Sequence, residues 1–287
     1  MEKLTMLDYV KETPGVLRTN IEQYTTLVDP LMKEVQQKEI KRILLVASGS
    51  SHNACYCARS FVEKVSGLEV RIITPYTFTY YENDIKETDL VLVVTQSGLS
   101  TNAIEALKII KKKQCRAICL TGNKNSDVKD VADVVIEYGV GEELVGYVTK
   151  GVSSLALFLD LFAIAYSGKT EYLEELKKAV HLNEEMIGKA TSFIQLHYKE
   201  FSSMSWVYSC GAGANYGTAL ESALKMGETI HIPSCCYEIE EYIHGPNLQL
   251  TPQYNVIFFD GNDGASHRVE QVYKACLLYT SPSPRDK

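Results

Sequence analysis

Four short apolar runs alternate with helical segments over the first part of the chain. They are RILLVASGSS (42–51), EVRIIT (69–74), DLVLVVT (89–95) and RAICLTG (116–122). A strand that is apolar on both faces has to be covered on both faces, and successive parallel strands need a crossover connection such as a helix. The pattern therefore predicts an α/β fold in which helices flank a parallel sheet on both sides, giving three layers.

A second unit of the same kind begins near residue 201. WVYSCGAGAN (206–215) is again an apolar run that enters a turn of small residues, and the helical YGTALESALKMGE (216–228) follows it. We expect N-terminal helices and a first domain over 1–170, a connector helix over 171–200, and an incomplete second domain over 201–275. Pro14 is expected to divide the N-terminal helical region into two helices.

The last residues receive a separate interpretation. CLLYTSPSPRD (276–286) matches, codon by codon, the translation of a sequencing adapter. We therefore interpret 276–287 as an adapter-derived artefact, to be set aside before any argument about the fold. The helix predicted to begin near Ser266 would then be cut short, and the second domain would be truncated.

Charge and cysteine spacing narrow the class of protein. A net charge of −7 argues against a nucleic-acid or anionic-membrane partner. The apolar stretch 153–168 is shorter than the roughly 20 residues of a membrane span, and the N-terminus lacks the apolar segment of a signal peptide. The eight cysteines show no CxxC pair and no zinc-finger spacing. We expect a cytoplasmic protein with reduced thiols, no metal and no cofactor.

Two predicted strands end in small polar side chains, SGSS (48–51) and TQSGLSTN (95–102). The carboxyl ends of parallel strands meet at one edge of a sheet, where helix N-termini offer unpaired N–H groups to an anion. Neither loop matches GxxxxGK[ST] or GxGxxG, which disfavours ATP and dinucleotides. The loops predict a site for a small phosphorylated metabolite. The alternative is that these hydroxyl groups only cap helices.

Longer motifs carry a family resemblance. They are GSS (49–51), TQSGLSTNAIEAL (95–107), EELVGYVTKGVSSLAL (142–157) and ALESALKMGETIHIPSCCYEIEEYIHGP (219–246). Together they resemble the double sugar-isomerase (SIS) family, in particular its fructose-6-phosphate aminotransferases and its 6-phosphosugar deglycases. The resemblance implies two SIS domains, a sugar 6-phosphate as substrate, and aldose–ketose isomerisation coupled to amino transfer or amine release.

The same resemblance implies roles for particular residues. The implied substrate contacts are Ser51, Thr95, Gln96, Ser97, Ser100 and Gly146. Glu228 matches the base that moves a proton between C1 and C2 of the sugar, and Lys225 stands one helical turn before it. His244 matches the residue that opens the sugar ring, contributed by the other subunit of a homodimer with a shared active site. Glu221 is a candidate for a structural ion pair with Lys225. His52 has either a ligand contact or a structural role.

Three functions remain open at this point. A stand-alone aminotransferase-like isomerase or deaminase that uses free ammonia is favoured by Lys225. A deglycase acting on fructoselysine- or glucoselysine-type 6-phosphates is favoured because the sequence shows no glutamine-hydrolysing segment before the SIS region. A sensing module that binds a sugar phosphate without turnover would need neither Glu228 nor His244. The presence of both favours an enzyme.

Overall fold

In the computed structural model, which describes residues 4–36 and 38–280, five parallel strands form the first sheet. Its order is β2-β1-β3-β4-β5, so the first strand lies inside the sheet rather than at its edge. The strands are β1 (Arg42–Ala47), β2 (Glu69–Ile73), β3 (Asp89–Thr95), β4 (Ile118–Thr121) and β5 (Val134–Glu137). Because β1 and β3 are neighbours, the loops that follow them emerge side by side at the carboxyl edge.

Helices cover both faces of this sheet. They are α1 (Met6–Glu22), α2 (Tyr24–Val35), α3 (Gly49–Ser66), α4 (Pro75–Tyr80), α5 (Thr101–Lys112) and α6 (Lys150–Ser167). Along β1, Ile43 and Leu45 pack with α1, α2, α3 and α6, whereas Leu44 and Val46 pack with α4 and α5. Successive side chains of a strand point to opposite faces. The predicted three-layer α/β arrangement with a parallel sheet is thus confirmed.

Helix α6 is the most apolar helix of this unit. Among the described residues, it alone is long and apolar enough to cross a membrane. Phe158, Leu161 and Phe162 are nevertheless fully buried, and the helix packs against α1, α2 and α3. A core helix and a membrane span share this composition, so burial identifies α6 as the core helix of its unit.

One expectation for this unit is wrong, and one strand was not predicted. Pro14 does not divide the N-terminal helical region, because α1 runs through it and ends at Glu22. The helix is instead fixed at its start by a capping box, in which the Thr5 hydroxyl accepts from the Asp8 amide and the Asp8 carboxylate accepts from the Thr5 amide. The strand that was not predicted is β5. Its four residues are too short a run to show periodicity.

A buried ion pair joins the amino ends of β1 and β3, opposite the carboxyl edge. Arg42 donates from Nε and Nη2 to the two carboxylate oxygens of Asp89, at 3.0 and 2.7 Å. The backbone amide of Lys86 donates to the same carboxylate at 2.7 Å. Burial raises the pKa of Asp89, but these hydrogen bonds outweigh it and hold the pKa below its usual range.

The chain divides into two compact units, the first ending at Thr191 and the second beginning at Ser192. The remaining elements are α7 (Tyr172–Leu196), α8 (Tyr198–Ser202), β6 (Trp206–Gly211), α9 (Ala214–Lys225), β7 (Ser234–Glu238), α10 (Ile239–Ile243), β8 (Tyr254–Phe259) and α11 (Ser266–Thr280). The strands form a parallel sheet in the order β7-β6-β8. This order repeats the β2-β1-β3 arrangement of the first unit.

The segment interpreted as adapter-derived lies partly inside the second unit. Residues 276–280 belong to α11, and the Sγ atom of Cys276 lies 3.7 Å from the Tyr242 hydroxyl oxygen. Residues 281–287 lie outside the described residues. The adapter interpretation therefore stays a prediction.

Candidate functional site

The loops after β1 and β3 lie together at the carboxyl edge of the first sheet. Gly49 has φ +56° at the start of α3, and Ser50 and Ser51 in its first turn are buried. The Asn102 side chain, in the first turn of α5, donates from Nδ2 to Oγ of Ser48 at 3.3 Å. Two helix N-termini and several hydroxyl groups thus converge, as the sequence pattern predicted.

A cavity of about 1060 Å³ opens above these loops. All six residues that the resemblance implied as substrate contacts line it, namely Ser51, Thr95, Gln96, Ser97, Ser100 and Gly146. They come from three separate segments of the chain. The cavity is large enough for a small phosphorylated metabolite.

Gly98 is required by the shape of the loop after β3. Its φ of +66° lies in the left-handed region, which favours glycine. A Cβ atom at this position would lie 1.7 Å from Oγ of Ser126. The close packing of Gly98 against Ser126 therefore fixes the path of the backbone between Ser97 and Ser100.

The side chain of Gln96 has a second role beside lining the cavity. Its Nε2 donates to Oε1 of Glu143 at 3.1 Å, and its Oε1 accepts from the hydroxyl of Tyr138 at 3.2 Å. Burial raises the pKa of Tyr138, so this hydroxyl stays protonated and remains a donor. Gly151 allows the approach, because a Cβ there would lie 1.8 Å from Oε1 of Gln96. Gln96 therefore connects the loop after β3 to the start of α6.

Glu143 organises the third wall of the cavity, which residues 139–149 form. Its carboxylate also accepts from the backbone amides of Thr149 at 2.7 Å and Gly151 at 3.2 Å. These are amides at the start of α6, which have no partner within the helix. Glu143 was not among the residues to which the sequence assigned a role. Its signal was an acidic residue just ahead of a strongly apolar helix.

His52 does not line this cavity. Its ring stacks edge-on against Tyr56, with 5.0 Å between ring centroids, and its Nδ1 lies 3.5 Å from Oδ1 of Asn53. Burial lowers the pKa of His52. Of the two roles considered for this residue, these contacts support the structural one.

The second unit carries the residues with implied catalytic roles. Lys225 ends α9, and a wider π-helical turn over Met226–Ile230 carries Glu228. The Lys225 ammonium lies 2.6 Å from Oε2 of Glu228 and 3.1 Å from Oε1 of Glu221. Both the predicted neighbourhood of Lys225 and Glu228 and the ion pair with Glu221 are present. Single π-helical turns often occur at functional sites.

His244 lies directly after α10 and is exposed. Gly245 follows with φ +152°, and Pro246 begins a short 3₁₀ turn over Pro246–Gln249. Among the residues of the described ranges, no hydrogen bond or ion pair joins His244 to Glu228. The structure thus pairs Glu228 with Lys225 but does not pair it with His244 through such a contact.

The turn after β6 differs chemically from the turn after β1. It carries Ala212, Gly213, Ala214 and Asn215, where the first unit has two buried serines. It therefore lacks the hydroxyl donors that line the first cavity. Within the part of the chain that the structure describes, no group of three His, Cys, Asp or Glu side chains is arranged to hold a metal ion, and all eight cysteines are free thiols.

Comparison with known proteins shows what this chain is similar to. Residues 38–165, which lie in the first unit, match the family model of the SIS domain. The glutamine–fructose-6-phosphate aminotransferase (isomerizing) of Clostridium perfringens is 28% identical over 266 residues. That match covers 88% of this chain and 44% of the relative, so the chain spans less than half of the relative's length.

Solved structures of low sequence identity share the fold. The C-terminal domain of glucosamine-fructose-6-phosphate aminotransferase from Francisella tularensis superimposes with a TM-score of 0.83 at 22% identity, covering 96% of this chain and 81% of that domain. The glucosamine-6-phosphate deaminase of Thermotoga maritima gives 0.69 at 21% identity, covering 94% and 83%. The chain therefore shares the fold of these two structures.

Proposed function

We propose that the protein binds a sugar 6-phosphate in the cavity of its first unit and catalyses aldose–ketose isomerisation coupled to amino transfer or amine release. The observation that carries the proposal is the convergence of six expected contact residues from three chain segments on one cavity. The curated relative from Clostridium perfringens acts, by its name, on fructose 6-phosphate and isomerises it. The isomerase activity, the second SIS domain and a cytoplasmic location are parts of this proposal.

The polar lining suits a phosphate ester. Hydroxyl groups of Ser51, Thr95, Ser97 and Ser100 can donate to phosphate oxygens, and the starts of α3 and α5 add the favourable ends of two helix dipoles. The net charge of the chain is −7, so an anionic ligand has to be held by such local donors rather than by a basic surface.

Glu228, Lys225 and His244 supply the acid–base chemistry in this proposal. Moving a proton between C1 and C2 requires a carboxylate close to a carbon-bound hydrogen, and opening the sugar ring requires a second group that exchanges a proton with the ring oxygen. The ammonium of Lys225 fixes the orientation of the Glu228 carboxylate. His244 is assigned to ring opening across the interface of a homodimer.

A deglycase is the second candidate, supported by an apolar rim. Leu99 and Leu144 line the cavity although they are 58% and 71% exposed, and Val145 and Val148 lie on the same wall. Apolar side chains favour a substrate with an alkyl substituent on its nitrogen over a substrate that releases free ammonia. A substrate with a lysine side chain on the sugar carries that substituent.

The two candidates differ in the amine that leaves the sugar. Glucosamine 6-phosphate and fructoselysine 6-phosphate are incubated separately with the protein, and release of ammonia or lysine is measured together with formation of the hexose 6-phosphate. Release from either sugar supports an enzyme and selects the candidate. Binding of both sugars without turnover would instead indicate a sensing module.

The phosphate site is tested independently by calorimetry on Ser97→Ala. Fructose 6-phosphate should lose a charge-assisted hydrogen bond, which corresponds to roughly 1.5–3 kcal/mol of binding free energy. The unphosphorylated sugar fructose is the matched ligand control, and its affinity should stay the same. Equal losses for both ligands would contradict the assignment of the phosphate to this loop.

A further inference from the structure

We propose that one face of α1 positions the wall of the cavity formed by residues 139–149, and thereby sets the affinity for the ligand. The positioning residues are Tyr9, Glu12 and Asn20, together with the buried Lys150 at the start of α6. This inference rests on the proposed function, because it concerns the same cavity.

Three contacts from α1 span the whole wall. Asn20 donates from Nδ2 to the carbonyl oxygen of Gly139 at 3.0 Å, and the hydroxyl of Tyr9 accepts from the amide of Leu144 at 3.0 Å. Glu12 accepts from Nζ of Lys150 at 3.0 Å. Glu12 and Asn20 follow Tyr9 by three and eleven residues, which places all three on one face of the helix. One helix therefore contacts the first residue of the wall, its middle, and Lys150, which directly follows it.

Lys150 is an unusual residue for its location. It is the first residue of an 18-residue helix, where the positive end of the helix dipole disfavours a cation, and its side chain is only 2% exposed. Its charge is compensated by Glu12 and by the ring of Tyr9, whose centroid lies 5.1 Å from Nζ. Departures from local preference concentrate where function requires them.

The wall reaches the ligand site directly. Glu143, Leu144, Val145 and Gly146 all line the main cavity. On the other side of Gly139–Glu142, a second cavity of about 580 Å³ is lined by Tyr9, Glu12 and Lys150. Residues 139–142 line both cavities, so this part of the wall lies between them, and we infer that it depends on the contacts to α1 for its position.

The experiment uses the double variant Tyr9→Phe/Glu12→Gln in the full chain. Tyr9→Phe removes only the hydroxyl that accepts from Leu144, and Glu12→Gln removes the charge that pairs with Lys150. Calorimetry with fructose 6-phosphate should show a dissociation constant raised about tenfold, because only part of the free energy of the two lost contacts, one neutral and one charge-assisted, acts on ligand binding. Hydrogen exchange should accelerate in peptides covering 139–149 and stay unchanged in peptides covering β1 and β3.

Arg18→Gln is the matched control on the same helix. Arg18 pairs with Glu184 of α7 at 2.7 Å, and among the described residues it has no hydrogen bond or ion pair to the wall, so Arg18→Gln should change neither the exchange rate nor the dissociation constant. Wild-type exchange at 139–149 or a wild-type dissociation constant in the double variant would overturn the positioning role. If the wild-type protein binds no sugar 6-phosphate, the proposed function is wrong. The hydrogen-exchange measurement needs no sugar, so it still tests the positioning role on its own.

Discussion

Nε2 of Gln96 donates a hydrogen bond to Oε1 of Glu143 at 3.1 Å, across 47 positions of sequence. The bond joins a residue at the carboxyl edge of the sheet to the carboxylate that caps α6. Gln96 was expected to contact the sugar, yet both polar atoms of its side chain are bonded within the protein. We infer that its first task is to hold the third wall of the cavity against the sheet.

Glu143→Ala should therefore weaken both folding and ligand binding. The variant removes the acceptor of three hydrogen bonds, two of them from amides at the start of α6. We expect a loss of about 2 kcal/mol in the free energy of unfolding, measured by urea denaturation. Glu142→Ala is the control, since Glu142 is exposed and lines the same cavity. Equal destabilisation by both variants would contradict the capping role.

Gly98→Ala should distort the loop that is expected to hold the phosphate. The added methyl group would overlap Ser126 and would sit on a backbone with positive φ. Overpacking and backbone strain together should cost at least about 2 kcal/mol of stability. Gly188→Ala in α7 meets no atom within 4 Å and should not destabilise the protein. A Gly98→Ala protein with wild-type stability would show that the loop can move away from Ser126.

Asp89→Asn should make stability less dependent on pH. The folded-state pKa of Asp89 is depressed below its usual value of 3.8, so its stabilising effect is present above that value and is lost as the pH falls through the folded-state pKa. At pH 7 the variant should lose about 3 kcal/mol, because Arg42 is left without its partner. The difference from wild type should shrink at pH 3. An unchanged difference would exclude Asp89 as the titrating group.

Mixing two inactive variants tests the shared active site. Glu228→Gln and His244→Ala are dissociated, mixed in equal amounts and reassociated. If each site takes Glu228 from one subunit and His244 from the other, a heterodimer contains one intact site, and activity should return to about a quarter of wild type. Mixed dimers without activity would mean that both residues act within one subunit, which contradicts the shared site.

Strands β1 to β4 and β6 could be predicted from sequence because each is a short, largely apolar run. β1, β3 and β6 are continuous apolar runs, and each ends in a turn of small residues, which a helix follows. β5 could not be predicted in this way, since its four residues resemble many short apolar stretches. The continuity of α1 through Pro14 follows from tertiary packing, because Pro14 is buried.

The candidate site was predictable only where its residues lie in local motifs. Ser51 and the loop from Thr95 to Ser100 follow strands in an informative order, so their common location could be deduced. The support from Tyr9 and Glu12 could not be deduced, because their partners Leu144 and Lys150 lie 135 and 138 positions away. A single sequence contains no signal for such pairs.

The most direct test of the account follows deuterium into the sugar. Wild-type protein and Glu228→Gln are incubated in D₂O with glucosamine 6-phosphate, and with fructose 6-phosphate plus ammonium, and the mass of the recovered sugar is measured. Glu174→Gln is the control, because it removes an ion pair of similar spacing, Glu174 to Lys177 at 2.7 Å, on an exposed helix.

Wild type and Glu174→Gln should incorporate deuterium at C1 or C2. Glu228→Gln should do so about 10²–10⁴-fold more slowly, while its affinity for the sugar phosphate stays the same, because it lacks only the positioned base. Incorporation by Glu228→Gln at the wild-type rate, or the absence of incorporation by wild type with either sugar, would contradict proton transfer by Glu228 as the function of this protein.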